Sequence, residues 1–271
     1  MRSIAIINQK GGVGKTTTAV NLSAALADLG HRVCLIDLDP QAHASLHLGI
    51  TLNEGDPSIY HVLTGHHQLS QIRQQVNKNL SVVPASLDLA AAEMELAGEV
   101  GRELILRDNL AADDSEFDYI ILDCPPSLGV LTLNALTAVD EVFLPLQPHF
   151  LALHGLSKLL RTIDVVAKRL NPKLQLTGVV YCMYESGTRL AAEVTSDVND
   201  FFQDQRARGT AWSNVTMFET CIRRNIRLAE APSFGQSIFD YSGHSNGAED
   251  YQALAKEVLA SGIVIPKALA G

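Results

Sequence analysis

Gln9-Lys10-Gly11-Gly12-Val13-Gly14-Lys15-Thr16-Thr17 is the stretch whose reading decides the fold. The run before it, Ile4-Ala5-Ile6-Ile7, is apolar without a break, as a strand buried on both faces is. The run after it, Thr18 to Leu29, carries Ala and Leu at helical spacing. A strand, a glycine-rich turn and a helix opening on Gly-Lys-Thr make the frame of a phosphate-binding loop. Glycines let successive N–H groups turn onto phosphate oxygens, and the helix N-terminus adds a favourable dipole. In that frame the residues from Gly11 to Thr17 cradle a nucleotide's phosphates. Lys15 reaches the β- and γ-phosphates, and the Thr16 hydroxyl ligates Mg²⁺.

The usual pattern G-x-x-x-x-G-K-[ST] is not met in full, because Gln9 stands where its first Gly belongs. A second lysine, Lys10, precedes the glycine pair instead. Further on, Arg32 to Asp37 reads as a strand that runs out into Asp37-Leu38-Asp39-Pro40-Gln41. In open α/β sheets ligands bind at that carboxyl edge. Phe117 to Asp123 is another strand ending on an acid, before Cys124-Pro125-Pro126. A carboxylate there holds Mg²⁺ directly or through water, which makes Asp123 a metal candidate. Of Asp37 and Asp39, one suits the ion through water and the other suits the attacking water. The residues alone leave that division open.

Further strands are expected at Leu80–Ala85, Val142–Leu146 and Thr177–Met183, and helices at Leu87–Leu96, Leu153–Leu170, Leu190–Arg206 and Glu249–Ala260. The segment Ala42 to Asn79 has mixed periodicity and receives no assignment, and Gln205 to Asn214 reads as an irregular connection. Alternating strands and helices predict a doubly wound α/β domain of the P-loop NTPase kind, with a mainly parallel sheet and helices on both faces. No linker, repeat or low-complexity tract interrupts residues 1–271, so one domain is expected.

The 46% of apolar residues suits a large buried core. A formal net charge of -9 means that nucleic acid or anionic lipid needs a local patch to bind. Cys34, Cys124, Cys182 and Cys221 form no CxxC pair, which suits reduced thiols in a cytosolic protein. The chain opens on its first strand, so neither a signal peptide nor a separate N-terminal DNA-binding domain is expected. No apolar run reaches the roughly 18 residues of a membrane span. His43 and His47 share helical spacing, but no Glu stands between them and no Cys is near, so a solvated stretch is favoured over zinc. Arg223, Arg224 and Arg227 make a compact basic cluster, with Arg189, Arg206 and Arg208 as possible neighbours. Such arginines are either paired with surface carboxylates or gathered for phosphates.

Lys10-Gly11-Gly12-Val13-Gly14-Lys15-Thr16 resembles the deviant Walker A motif of the ParA/MinD-type ATPases. Asp37-Leu38-Asp39-Pro40-Gln41 is similar to that family's switch I, and Asp123 to Gly129 to its switch II. Arg224 to Gly235 and Gly247 to Tyr251 resemble stretches of the chromosome-partitioning branch, called Soj. The resemblance implies binding of ATP or ADP with Mg²⁺, a homodimer formed on ATP binding, and Asp39 as the hydrolytic acid. It implies that Lys10 crosses the dimer interface to the partner's nucleotide. It puts the base near Met183 and the Ala231-Pro232-Ser233 loop. It puts Arg224 on a face that meets DNA without sequence preference, with Arg189, Arg223 and Arg227 as candidates beside it.

A ParB-like protein would stimulate hydrolysis, and the chain would be cytoplasmic and nucleoid-associated. The tail Ile263 to Leu269 is short, broken by Pro266 and poor in basic residues, so no stable membrane association of the MinD kind is expected. The other readings are an ATPase positioning a protein cargo, a MinD-like regulator of division placement, and a metabolic P-loop ligase or synthetase. The chain departs from the family at Ala42-His43, where Gly-Asn is common, and at Arg223, where proline is common. Its Gln205–Asn214 segment is also longer than usual.

Overall fold

The computed structural model describes residues 1–149, 155–205 and 209–261. Its strands are β1 (Arg2–Ile6), β2 (Val33–Asp37), β3 (Gln74–Gln75), β4 (Leu80–Val83), β5 (Tyr119–Asp123), β6 (Glu141–Leu146), β7 (Gln175–Tyr184), β8 (Thr216–Met217) and β9 (Ile222–Arg223). They form one sheet in the order β3-β4-β2-β5-β1-β6-β7-β8, with β9 pairing further along β7. Among the described residues only the β3–β4 pair is antiparallel. This is the doubly wound, mainly parallel architecture that the strand–helix alternation predicts.

Both faces of the sheet are covered, which explains the unbroken apolar reading of β1. Successive side chains point to opposite faces. Ile4 and Ile6 therefore join one apolar layer with Leu22, Leu26, Tyr251 and Leu254, from the helices Lys15–Asp28 and Asn246–Ala260. Ala5 and Ile7 join the other layer with Leu136, Leu160 and Ile163, from the helices Val130–Ala138 and Leu156–Arg169.

The parallel register sets the carboxyl ends of the central strands side by side. Ile6 stands opposite Asp123, and Asp37 opposite Asp123. Two acids far apart in sequence thus meet at one edge, beside the point where β1 opens into the glycine loop.

The segment from Ala42 to Asn79 holds three short helices, His43–His47, Ile59–Leu63 and Leu69–Ile72, followed by β3. The helix Lys15–Asp28 begins three residues earlier than its apolar spacing indicates. The expected helix from Leu153 is seen as Leu156–Arg169, and Leu153 lies outside the described residues. The expected helix to Arg206 is seen as Arg189–Gln205, and Arg206 and Arg208 also lie outside them. Trp212, in the connection that follows, is buried against the core.

One close backbone contact joins two segments far apart in the sequence. Gly49 and Gly235 both take left-handed backbone, at φ 75° and 65°. A Cβ on Gly235 would stand 2.8 Å from the Cα of Gly49, so the two backbones touch with no room for a side chain on Gly235.

Candidate active site

A cleft of about 920 Å³ opens where the glycine loop leaves β1. Gly11, Gly12, Gly14, Lys15, Thr16 and Thr17 form one wall. Gly12 and Gly14 have φ of 73° and 92°, a turn that only glycine takes without strain. Val13 points the other way and is buried, pinning the loop to the core. The Lys15 side chain is only 7% exposed and folds back across the loop, its Nζ donating to the Lys10 carbonyl at 3.2 Å. Burial lowers the Lys15 pKa, while the Asp123 and Asp39 carboxylates work against that shift.

The acids differ sharply in their partners. Asp37 is fully buried, and its Oδ2 accepts from the backbone N–H and the hydroxyl of Ser45 at 2.8 and 2.7 Å. Its Oδ1 accepts from the Asp39 N–H at 3.2 Å. Burial pushes Asp37 up to about 6, and these hydrogen bonds pull the other way. Asp39 lines the cleft, with Oδ1 accepting from the Gln41 N–H at 3.0 Å.

Asp123 is fully buried, and among the described residues neither of its oxygens has a hydrogen-bond partner. Burial first, then the Asp37 carboxylate, raise its pKa well above the ordinary carboxylate range. The Thr16 hydroxyl and the Lys15 ammonium ease its charge.

An orphaned carboxylate beside a threonine hydroxyl fits a hard divalent cation. Among the described residues no group of three His, Cys, Asp or Glu side chains makes a metal cage. An ion here would therefore complete its shell with water and phosphate, as Mg²⁺ commonly does.

Lys10 is exposed and does not line the cleft. Its backbone N–H is held by Asn8 Oδ1 at 3.0 Å, and its Nζ lies against His149 Nε2. The opposite wall mixes the apolar side chains of Met183, Ile222, Ile226, Leu228 and Ala229 with Arg223, Arg224 and Asn225. Met183 stands in left-handed backbone at φ 52°, where the pairing of β7 with β9 shifts register between Cys182 and Tyr184. Pro232, which the resemblance puts at the base, belongs to the turn of 3₁₀ helix Ala231–Phe234 and is not among the lining residues. The short helix Ile226–Glu230, capped by Asn225, fills that side of the wall instead. The floor adds Cys182 and Tyr251, which receive no site role from the sequence. Thr18 Oγ1 lies 3.1 Å from the Tyr251 hydroxyl and 3.6 Å from Cys182 Sγ.

The four candidate DNA arginines each hold a carboxylate. Arg223 donates to Asp250 at 2.7 and 2.9 Å and to Glu249 at 3.2 Å. Arg224 pairs with Glu185, Arg227 with Glu230 and Arg189 with Glu193. The last three pairs are solvent-exposed, whereas Asp250 is only 7% exposed.

A family model described as an AAA domain matches residues 1–176. Over 260 residues the chain is 46% identical to the sporulation initiation inhibitor protein Soj of Bacillus subtilis, covering 96% of this chain and 98% of that protein. The chain belongs to the ParA/Soj family of partitioning ATPases. A second member, the chromosome partitioning protein ParA of Myxococcus xanthus, is 45% identical, with 95% of this chain and 88% of that protein covered. Among solved structures, a Mycobacterium smegmatis protein named cobyrinic acid a,c-diamide synthase, with a bound ATP analogue and magnesium, superposes with a TM-score of 0.82. It is 37% identical, with 98% of each chain covered.

Proposed function

We propose that this ParA/Soj-type chain binds Mg·ATP in the cleft and closes on a second copy of itself. The closed dimer binds DNA without sequence preference and is reset by hydrolysis that a ParB-like protein stimulates. The observation that carries this reading is Asp123, buried under the glycine loop beside Thr16 with no hydrogen-bond partner among the described residues. A protein bears such a carboxylate at a cost, and a cation-bearing ligand removes the cost.

In this reading Lys15 neutralises the phosphates, Thr16 and Asp123 hold the ion, and Asp37 faces it only through water while fixing Ser45. Mg²⁺ supplies charge neutralisation on the β- and γ-phosphates. Asp39 orients the attacking water, since phosphoryl transfer asks mainly for positioning and electrostatic stabilisation. Lys10, exposed and turned away from its own cleft, serves the facing subunit. Met183 and the other apolar side chains of that wall take the base. The exposed pairs of Arg189, Arg224 and Arg227 are worth little each, so DNA phosphates can displace their carboxylates.

Higher identity to the partitioning relatives, 46% against 37%, favours this reading over the synthase activity in the name of the M. smegmatis protein. Among the described residues no helix is long and apolar enough to cross a membrane, and the tail Ile263 to Leu269 lies outside them. The test is co-sedimentation with random-sequence DNA, beside sizing and phosphate release. With Mg·ATP the chain should dimerise and bind DNA, with affinity falling steeply between about 50 and 200 mM salt. With ADP it should do neither. DNA binding that ignores the nucleotide would sink the coupling.

A further inference from the structure

Among the described residues lining the cleft, His43 is the only imidazole. Its place is fixed by its neighbours. The helix His43–His47 is anchored by Ser45, which donates twice to Asp37 and accepts from the Ala85 N–H at 3.1 Å. Ala44, Ser45 and His47 are buried, so the helix has one orientation, and His43 is on its open side. Entry to the helix is sharp. Ala42 takes φ 53°, left-handed backbone in a residue with a Cβ, and its N–H closes a turn on the Asp39 carbonyl at 2.8 Å. Non-glycine residues held in this region cluster at functional sites, where the surroundings over-determine them. Here the turn carries the chain from Asp39 directly to His43, inside the same cleft as Lys15 and Thr16.

We propose that His43 contacts the terminal phosphate of bound ATP, and that its protonated form strengthens ATP binding as pH falls. This rests on the reading of the cleft as an ATP site. Imidazole is the side chain whose charge ordinarily changes between pH 5 and 8, and a facing anion favours its charged form. The other charged groups around the cleft are Lys15, Asp39, Arg223 and Arg224, with Asp37 and Asp123 beneath. They and the phosphate itself are present in the parent and in His43→Asn alike, so the ratio of the two affinities reports the ring.

The experiment measures dissociation constants of Mg·ATP and Mg·ADP by calorimetry from pH 6 to pH 8, for the parent, His43→Asn and His43→Lys. His43 is exposed, and a melting curve for each variant checks that it folds. The parent's ATP affinity relative to His43→Asn should rise about 3- to 10-fold from pH 8 to pH 6, one pKa unit being tenfold. The ADP ratio should stay flat, and His43→Lys should keep the advantage at both ends. Parallel ATP curves for the parent and His43→Asn overturn the contact, as does an equal gain for ADP. A parent that binds no ATP at any pH fails earlier, at the reading of the cleft.

Discussion

At the floor of the cleft Asp123 is buried with no hydrogen-bond partner among the described residues, and Asp37 beside it is raised by burial. Beside β7 and β9, Arg189, Arg223, Arg224 and Arg227 already hold carboxylates of their own subunit. The first region is incomplete without a ligand, and the second is locally satisfied. A region of the first kind announces its ligand, because the isolated fold gains by binding it. A region of the second kind binds only by exchanging partners. It needs several weak exchanges at once, which a dimer supplies by doubling the patch.

The largest effect should come from Lys15→Ala. Removing the ammonium that faces the phosphates should weaken Mg·ATP about 100-fold or more, as loss of a desolvated charge partner does. Calorimetry that finds the parental affinity would break the comparison at its first term. Next is Asp39→Ala, which should keep ATP affinity within about 3-fold while single-turnover phosphate release slows at least about tenfold. Normal release would shift the water-orienting role to another group.

The arginines sharpen the contrast from the other side. Arg224→Glu should abolish ATP-dependent DNA binding with the melting temperature preserved, because its pair with Glu185 is exposed. Arg223→Glu should lower the melting temperature by a few degrees, since it strands the buried Asp250 against a like charge. Equal stability of the two variants would show that Arg223 is as free as its neighbours. The smallest effect is the most diagnostic. Asp123→Asn should raise the melting temperature of the ligand-free protein by a few degrees while removing the extra stabilisation by Mg·ATP. A ligand-free melting temperature below that of the parent would mean that the carboxylate is not a burden.

The sequence and the structure agree where the relevant physics is local. The glycine loop needs left-handed backbone at Gly12 and Gly14 and a lysine at a set spacing, and all of that lies within seven residues. The acids are legible as strand ends, and the register then brings Asp37 and Asp123 together.

The segment from Ala42 to Asn79 was not legible, because helices of one turn, such as His43–His47, carry no periodicity. The left-handed Met183 depends on a register shift against β9, which no local pattern announces. The cleft wall at Ile226 to Ala229 replaces Pro232 because a five-residue helix intervenes. Two of the four arginine pairs were hidden for a different reason, whereas Arg189–Glu193 and Arg227–Glu230 are one helical turn apart. Asp250 lies 27 residues from Arg223, and Glu185 lies 39 from Arg224.

The touching glycines have a mechanical meaning. Between Gly49 and Gly235 there is no rotamer to turn and no side chain to compress, so the joint has no slack. Gly49 follows the helix that begins at His43, and Gly235 follows the segment that carries Arg224 and Arg227. The segment that ends the helix beginning at His43 and the turn at Gly235 are therefore held in direct backbone contact. A methyl group wedged into that joint would force one of the two segments to move away from the other.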